Sequence, residues 1–419
     1  MKEHAMDFTR RRFLLLSGSA AATLTVSLAS RSQQACAASI PFVITVQASG
    51  AWDPTFLVDP VADNAAFTPF TAAQILTAGQ IRYAPFVNAQ GVFSQYVVGA
   101  TPQDFFAKHQ SRLLVINGVD NATVSHDVGP RVAFTGSTRD GHPSISGLAA
   151  GLQGKEMPLA MFVAGGFAST GGLVPITRGG SLTLLRNLAS PNRDLIHPDS
   201  VDTLLRAATR ARDARLISGT TLPRSSAAFQ QILDSRSGAL EDRFRQIADE
   251  LQKATSVRAP NAFADTASGV LALMRSGATA AAHLSTGGFD THTNHNASHT
   301  TAMTRLLQGL DYIIDAATAD PALSSRGVVI IVGSDFGRTR YNDAQGKDHW
   351  PITSMMAIGV GASSSIIGGA RVIGGTTPTG GNGVAALPVK VTADGRTVTA
   401  EASDPQGFKL TAAHVQLAL

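Results

Sequence analysis

Six short runs of apolar and β-branched residues constrain the fold of this chain more than any other feature. They are PFVITVQA (41–48), SRLLVING (111–118), LAMFVAGG (159–166), AAAHLST (280–286), GVVIIVGS (327–334) and SMMAIGVG (354–361). Several are apolar throughout and lack the alternation of a strand with one wet face, so protein must cover both of their faces. Segments with apolar residues at helical spacing lie between them, and such alternation builds a parallel sheet with crossover helices. The expected fold class is therefore α/β, a doubly wound, mostly parallel sheet. Section 198–276 departs from this pattern, because three successive helical patterns run through it without a strand. It is expected to be a helical insertion or cap. The Gly- and Thr-rich stretch 373–383 is expected to be loop, followed by a hairpin-like segment and a last helix.

The start of the chain reads as a separate element. Thr9-Arg10-Arg11-Arg12-Phe13-Leu14 places paired arginines before the modest apolar run FLLLSGSAAATLTVSLAS, and Ala35-Cys36-Ala37 follows. This is the order of a secretory signal, and the arginine pair gives it the form of a twin-arginine signal. Gly18, the interspersed serines and threonines, and Arg31 leave the run short of the roughly 20 apolar residues of a membrane span. Residues 1–37 are thus expected to be a cleaved signal, with 38–419 a periplasmic or secreted α/β domain that is not membrane-embedded and has the twin-arginine export machinery as a transient partner. Cleavage removes Cys36, the only cysteine, and with it any thiol chemistry. Five basic and two acidic residues leave with the signal, so the net charge falls from +4 to +1. No basic stripe with interleaved aromatics remains, and nucleic acid is not an expected partner.

Polar residues follow the strands. Asp53 comes after the first, Asp290 and His292 after AAAHLST, Asp335 after GVVIIVG, and His349 lies beyond it in GKDHW. The carboxyl ends of parallel strands share one edge, so these groups can converge there. Three aspartates and two histidines suit a divalent metal: zinc first, with manganese, magnesium or calcium also compatible. Asp53, which precedes Pro54, is equally suited to cap a turn. His283, His299 and His414 are read as solvated.

The stretches GGFDTHTNHNASHTTAMTRLLQGLD (287–311), VVIIVGSDFGRTRYNDAQGKDHWP (328–351) and MMAIGVGASSSIIGGARVIGG (355–375) resemble the DUF1501 family of exported bacterial proteins. The likeness is weaker at ITVQASGAWDPT and SHDVGPRVAFTG. Asp335 stands where that family more often has glutamate. The family in turn resembles the alkaline phosphatase and sulfatase superfamily, which implies an alkaline phosphatase-like sheet with a metal pair at its strand ends. The resemblance implies Asp53, Asp290, His292, Asp335 and His349 as metal ligands, with His295 an alternative to His292. It implies Ser125 as nucleophile, although Ser125 is equally suited to cap the helix that follows. Phe336 replaces a histidine that the superfamily would place after Asp335. Gly141 in GHPSISGLAAG occupies the cysteine position of the sulfatase signature, which excludes formylglycine chemistry there and leaves Ser144 as a second candidate nucleophile. Arg338 is expected to meet an anionic substrate or to pair with a carboxylate, and His126 and Asp348 to orient a ligand. The implied activity is metal-dependent hydrolysis of phosphate or sulfate esters, with an anionic ester as substrate. The alternative is a binding or surface-assembly protein that keeps the fold without turnover.

Overall fold

Twelve strands and nine helices of the described residues frame the sheet and its carboxyl edge. The strands are β1 (Phe42–Ala48), β2 (Leu76–Ala78), β3 (Ile81–Tyr83), β4 (Leu113–Asp120), β5 (Met161–Ala164), β6 (Ile176–Arg178), β7 (Ala281–Thr286), β8 (Val328–Ser334), β9 (Gly337–Tyr341), β10 (Lys347–Trp350), β11 (Ile352–Val360) and β12 (Arg371–Ile373). The helices are α1 (Pro102–His109), α2 (Gly129–Thr135), α3 (Ile145–Gln153), α4 (Ala239–Ala254), α5 (Ala262–Arg275), α6 (His295–Ala319), α7 (Pro321–Arg326), α8 (Ser364–Ile367) and α9 (Ala412–Ala418). The computed structural model describes residues 40–85, 102–154, 157–180, eight positions between 201 and 215, 239–254, 261–393, 395–401 and 403–418. The signal-like segment 1–37 and most of 198–238 lie outside the described residues.

Eight strands form one sheet in the order β12-β4-β11-β8-β1-β7-β5-β6. β1 is parallel to both β7 and β8, and β5 is parallel to β7 and β6. β11 is antiparallel to β4 and β8, while β12 is parallel to β4. Seven strands therefore run one way and β11 runs against them. All six apolar runs of the sequence are strands of this sheet, as the mostly parallel α/β expectation requires.

Alternate residues of β1 show how both faces are covered. Phe42, Ile44, Val46 and Ala48 belong to a core that includes α5 and α6, among them Leu271, Leu273, Leu306 and Leu310. Val43 lies in a second core with Ile116, Met161, Val163, Ala150 and Val132 on the opposite face. Each such buried aliphatic side chain contributes about 1.5–3 kcal/mol, so a strand wedged between two helical layers tolerates few polar residues. α5 is the end of the section read as an insertion, and it sits within the helical layer on the sheet, with Ala264, Ala267, Val270 and Ala272 fully buried. Within 373–383, Thr376–Pro378 pairs with Val384–Ala386 as a short hairpin where loop was expected. The apolar valine and alanines that complete the ladder lie just beyond that stretch.

Two histidines read as solvated are fully buried: His283 in β7 and His299 in α6. His283 Nδ1 hydrogen-bonds Thr45 Oγ1 at 2.8 Å. Burial, reinforced by the charge of Arg178, pushes its pKa down to about 3. The folded value is depressed relative to the ordinary 6.5, so the native state refuses a proton that the unfolded chain accepts. Its contribution to stability is complete above pH 6.5 and is lost as pH falls toward 3. Between pH 6 and 4, urea titrations should therefore show stability of the wild type falling about 1.4 kcal/mol per pH unit more steeply than that of His283→Gln. Parallel pH profiles would contradict this reading.

Candidate metal centre

The three central strands end level. Ala48 of β1 is opposite both Thr286 of β7 and Ser334 of β8, so the loops that follow emerge at one edge. Gly50 has φ +104°, and a Cβ there would lie 2.7 Å from the Asp290 amide nitrogen. Only glycine allows the loop after β1 to approach the loop after β7 so closely. The antiparallel β9–β10 hairpin stands on the same edge. At its turn, a Cβ on Gly346 would collide with the His292 carbonyl at 1.8 Å. These contacts bring Asp290 and His292 against Asp348 and His349.

Four donor atoms converge there. His292 Nε2 lies 2.9 Å from His349 Nε2 and 3.1 Å from Asp290 Oδ1. His349 Nε2 is 3.3 Å, and His126 Nε2 3.5 Å, from the same carboxylate oxygen. Each imidazole is held through its other nitrogen. His126 Nδ1 donates to Asp335 Oδ2 at 2.8 Å, His292 Nδ1 to Asp348 Oδ1 at 2.8 Å, and His349 Nδ1 to the Val124 carbonyl at 2.9 Å. Those partners only accept, which places a proton on every Nδ1 and leaves each neutral ring with a bare Nε2 lone pair. Burial lowers the His349 pKa and so favours its neutral form. Burial opposes ionisation of Asp290, yet the hydrogen bond and charge of Arg338 hold its carboxyl at about 2. The three Nε2 atoms thus approach one anionic oxygen, with those of His292 and His349 also against each other, and the His126 Nε2 atom is buried without a hydrogen-bond partner. That arrangement is repulsive unless a cation joins it, and imidazoles clamped by carboxylates or carbonyls are the usual form of metal-ligating histidines. The residues present fit a divalent ion.

The expected site residues divide. Asp290, His292 and His349 come together, joined by His126, which the sequence suggested only as an orienting group. Asp335 is buried, and its oxygens accept from Gln47 Nε2 (2.7 Å), Gly50 N (3.0 Å) and His126 Nδ1. It holds His126 instead of facing the cluster. Phe336 is fully buried with its ring centroid 4.8 Å from that of His126 and 4.5 Å from that of His349. An aromatic wall therefore occupies the position where a histidine was expected. Arg338 is also buried. It donates from Nε to Ala51 O (2.8 Å), from Nη1 to Lys347 O (3.0 Å), and from Nη2 to Phe289 O (2.9 Å), Asp290 Oδ1 (2.7 Å) and Gly50 O. It takes the carboxylate-pairing role, and the geometry does not turn it outward to a substrate.

Asp53 lies apart from the cluster and is fully buried. Its Oδ1 accepts from Thr55 N (2.9 Å) and Thr55 Oγ1 (2.7 Å), capping the turn Pro54–Phe56, and its Oδ2 accepts from Lys347 Nζ. Burial raises the Asp53 pKa, but the Lys347 ammonium and His295 outweigh it and hold the group far below the carboxylate range. His295 Nδ1 meets Thr291 Oγ1 at 2.7 Å, and His295 stacks on His299 at 4.6 Å, so it belongs to this inner group. Ser125 is exposed on the loop between Val124 and His126, and its Oγ accepts from Asp127 N at 3.3 Å. Ser144 is fully buried at the start of α3, with its Oγ donating to Ser169 O at 2.9 Å and accepting from Gly147 N at 3.2 Å.

Fold and site define a class: an α/β protein with a mostly parallel sheet and a cluster of His and Asp side chains at its carboxyl edge. Within it, the chain belongs to the family described as "Protein of unknown function (DUF1501)", whose model matches residues 41–393. No curated protein matches it. Among solved structures it is similar to a 2-O GAG sulfatase, with 12% identity and a TM-score of 0.31 over 80% of this chain and 66% of the other. It is also similar to a sulfatase candidate from Bacteroides thetaiotaomicron VPI-5482, with 11% identity and a TM-score of 0.24 over 77% of this chain and 64% of the other. The chain thus spans just under two thirds of the length of each.

Proposed function

We propose that the protein is an exported, metal-dependent hydrolase of phosphate or sulfate esters. The supporting observation is the convergence of His126, His292 and His349 Nε2 with Asp290 Oδ1, each imidazole fixed through its Nδ1. Three imidazoles and one carboxylate suit zinc better than magnesium or calcium, which prefer all-oxygen sets. A divalent ion held there would act as a Lewis acid on an ester oxygen. Asp290, His292 and Asp348 are about half exposed, so a substrate can reach the centre from solvent.

We assign the nucleophile to Ser125. Ser125 Oγ bonds to phosphorus or sulfur as the ester oxygen departs, the serine proton passes to the leaving alcohol, and water then releases the serine. Ser144 is buried and capped, and it lacks the access this step needs. The substrate class follows the alkaline phosphatase and sulfatase resemblance of the 287–375 motifs. Export by the twin-arginine route follows the Arg11-Arg12 signal, and is read out by recovering outside the cytoplasm a chain whose mass reports cleavage near Ala37. The part of section 198–276 that precedes α4 is assigned to substrate selection, which swapping it between two family members would transfer.

Ser125→Ala is expected to lower phosphate- or sulfate-ester hydrolysis by at least about 10³-fold, with metal content and melting temperature unchanged. Full activity in that variant would remove Ser125 from the mechanism.

A further inference from the structure

We infer that the centre holds one divalent ion and not the pair implied by the phosphatase resemblance, because Lys347 already occupies the second place. This rests on the metal reading above. Around Asp53 lies what would otherwise be a second donor set. His295 Nε2 is 3.2 Å from Asp53 Oδ2, Thr55 Oγ1 bonds Asp53 Oδ1 at 2.7 Å, and His299 Nε2 lies 3.2 Å from Asp53 N. A carboxylate, two imidazoles and a hydroxyl are ligand types for zinc or manganese. Here the centre of the set is filled. Lys347 Nζ donates to Asp53 Oδ2 and to Thr55 Oγ1 (3.2 Å), and it sits 4.8 Å from the ring centroid of Phe56 and 5.0 Å from that of Tyr341. The Asp53 and Lys347 side chains are both fully buried, so the ammonium is enclosed by its carboxylate, its hydroxyl and two aromatic faces. His299 Nε2 already accepts the Asp53 amide and offers no lone pair to an ion.

Arg338 is bonded to Asp290 on one side and to the Lys347 carbonyl on the other, so a fixed cation also joins the two groups. Lys347 therefore replaces a metal ion and sets the stoichiometry of the centre.

The test is elemental mass spectrometry on the full exported chain, saturated with zinc and freed of unbound ion by gel filtration. One zinc per chain is the expected result. Two would overturn this inference while leaving the metal reading intact, and none would sink both. The double variant Asp53→Leu/Lys347→Met removes the buried pair without stranding either charge, an exchange that folds commonly tolerate. It should keep one zinc with a Kd within about threefold of wild type; loss of the ion, or tenfold weaker binding, would make Asp53 a ligand and overturn the inference. Should that variant fail to fold, anomalous scattering at the zinc edge from wild-type crystals decides. A single peak among His126, Asp290, His292 and His349 is expected, and a peak at bonding distance from Asp53 Oδ2 overturns it.

Discussion

Asp290→Ala is expected to leave a folded chain that binds zinc at least about 100-fold more weakly than wild type. Asp290 Oδ1 is the one anionic atom to which His126, His292 and His349 all point, at 3.1 to 3.5 Å. Without it three neutral nitrogens remain, and their lone pairs lose the charge that makes the centre selective for a cation. The side chain is about half exposed, so its loss costs little packing, and Arg338 keeps its four carbonyl acceptors. Because the carboxyl is held at about 2, it is ionised throughout the neutral range, and acid release of metal should follow protonation of the imidazoles instead. Asp335→Asn provides the companion measurement. If Asp335 holds His126 and is not itself a ligand, affinity should fall by about 10- to 100-fold with stoichiometry preserved. Titration calorimetry with zinc, with circular dichroism to confirm folding, reads both. Wild-type affinity in Asp290→Ala would end the metal reading.

The sheet was legible because burial on both faces leaves a plain mark on a strand. VVIIVG can be little else when no polar residue interrupts it, and the level ends of β1, β7 and β8 turn that mark into a shared edge. The site was legible only to the level of the segment. Asp-Thr-His and Asp-His-Trp meet at that edge because hairpin β9–β10 folds the second onto the first. Whether a given carboxylate faces the centre or braces an imidazole depends on its hydrogen-bond partners, which for Asp335 are Gln47 and Gly50, nearly 290 positions away. No spacing rule encodes that. Lys347 was the larger omission. A lysine in GKDHW reads as a solvated neighbour of the motif, and only the buried Asp53 carboxylate makes its burial tolerable. His126 carried a weak signal, a histidine two residues after the exposed Val124 at the end of a strand-and-turn segment. Its place is set by Asp335, which accepts from its Nδ1 at 2.8 Å and leaves its Nε2 3.5 Å from Asp290 Oδ1.

Arg338→Lys should destabilise the protein by about 3–5 kcal/mol, although it conserves charge. The guanidinium joins three segments: the loop after β1 through Gly50 and Ala51, the loop after β7 through Phe289 and Asp290, and hairpin β9–β10 through Lys347. A planar fork can reach carbonyls in these different directions at once, whereas an ammonium presents its donors from a single point. Lysine would therefore leave several buried carbonyls without donors, each costing roughly 1–3 kcal/mol. It would also free the Asp290 carboxylate to turn from the cluster, so zinc affinity should fall with stability, by about 10- to 100-fold. Arg338→Met adds a control: it removes the charge as well and should be at least as unstable, because it leaves Asp290 without its nearest cation. Urea denaturation in the metal-free state separates the fold contribution from the metal contribution. Stability within about 1 kcal/mol of wild type in Arg338→Lys would show that the three segments hold their places without the fork. The metal centre would then owe its geometry to the β9–β10 hairpin alone.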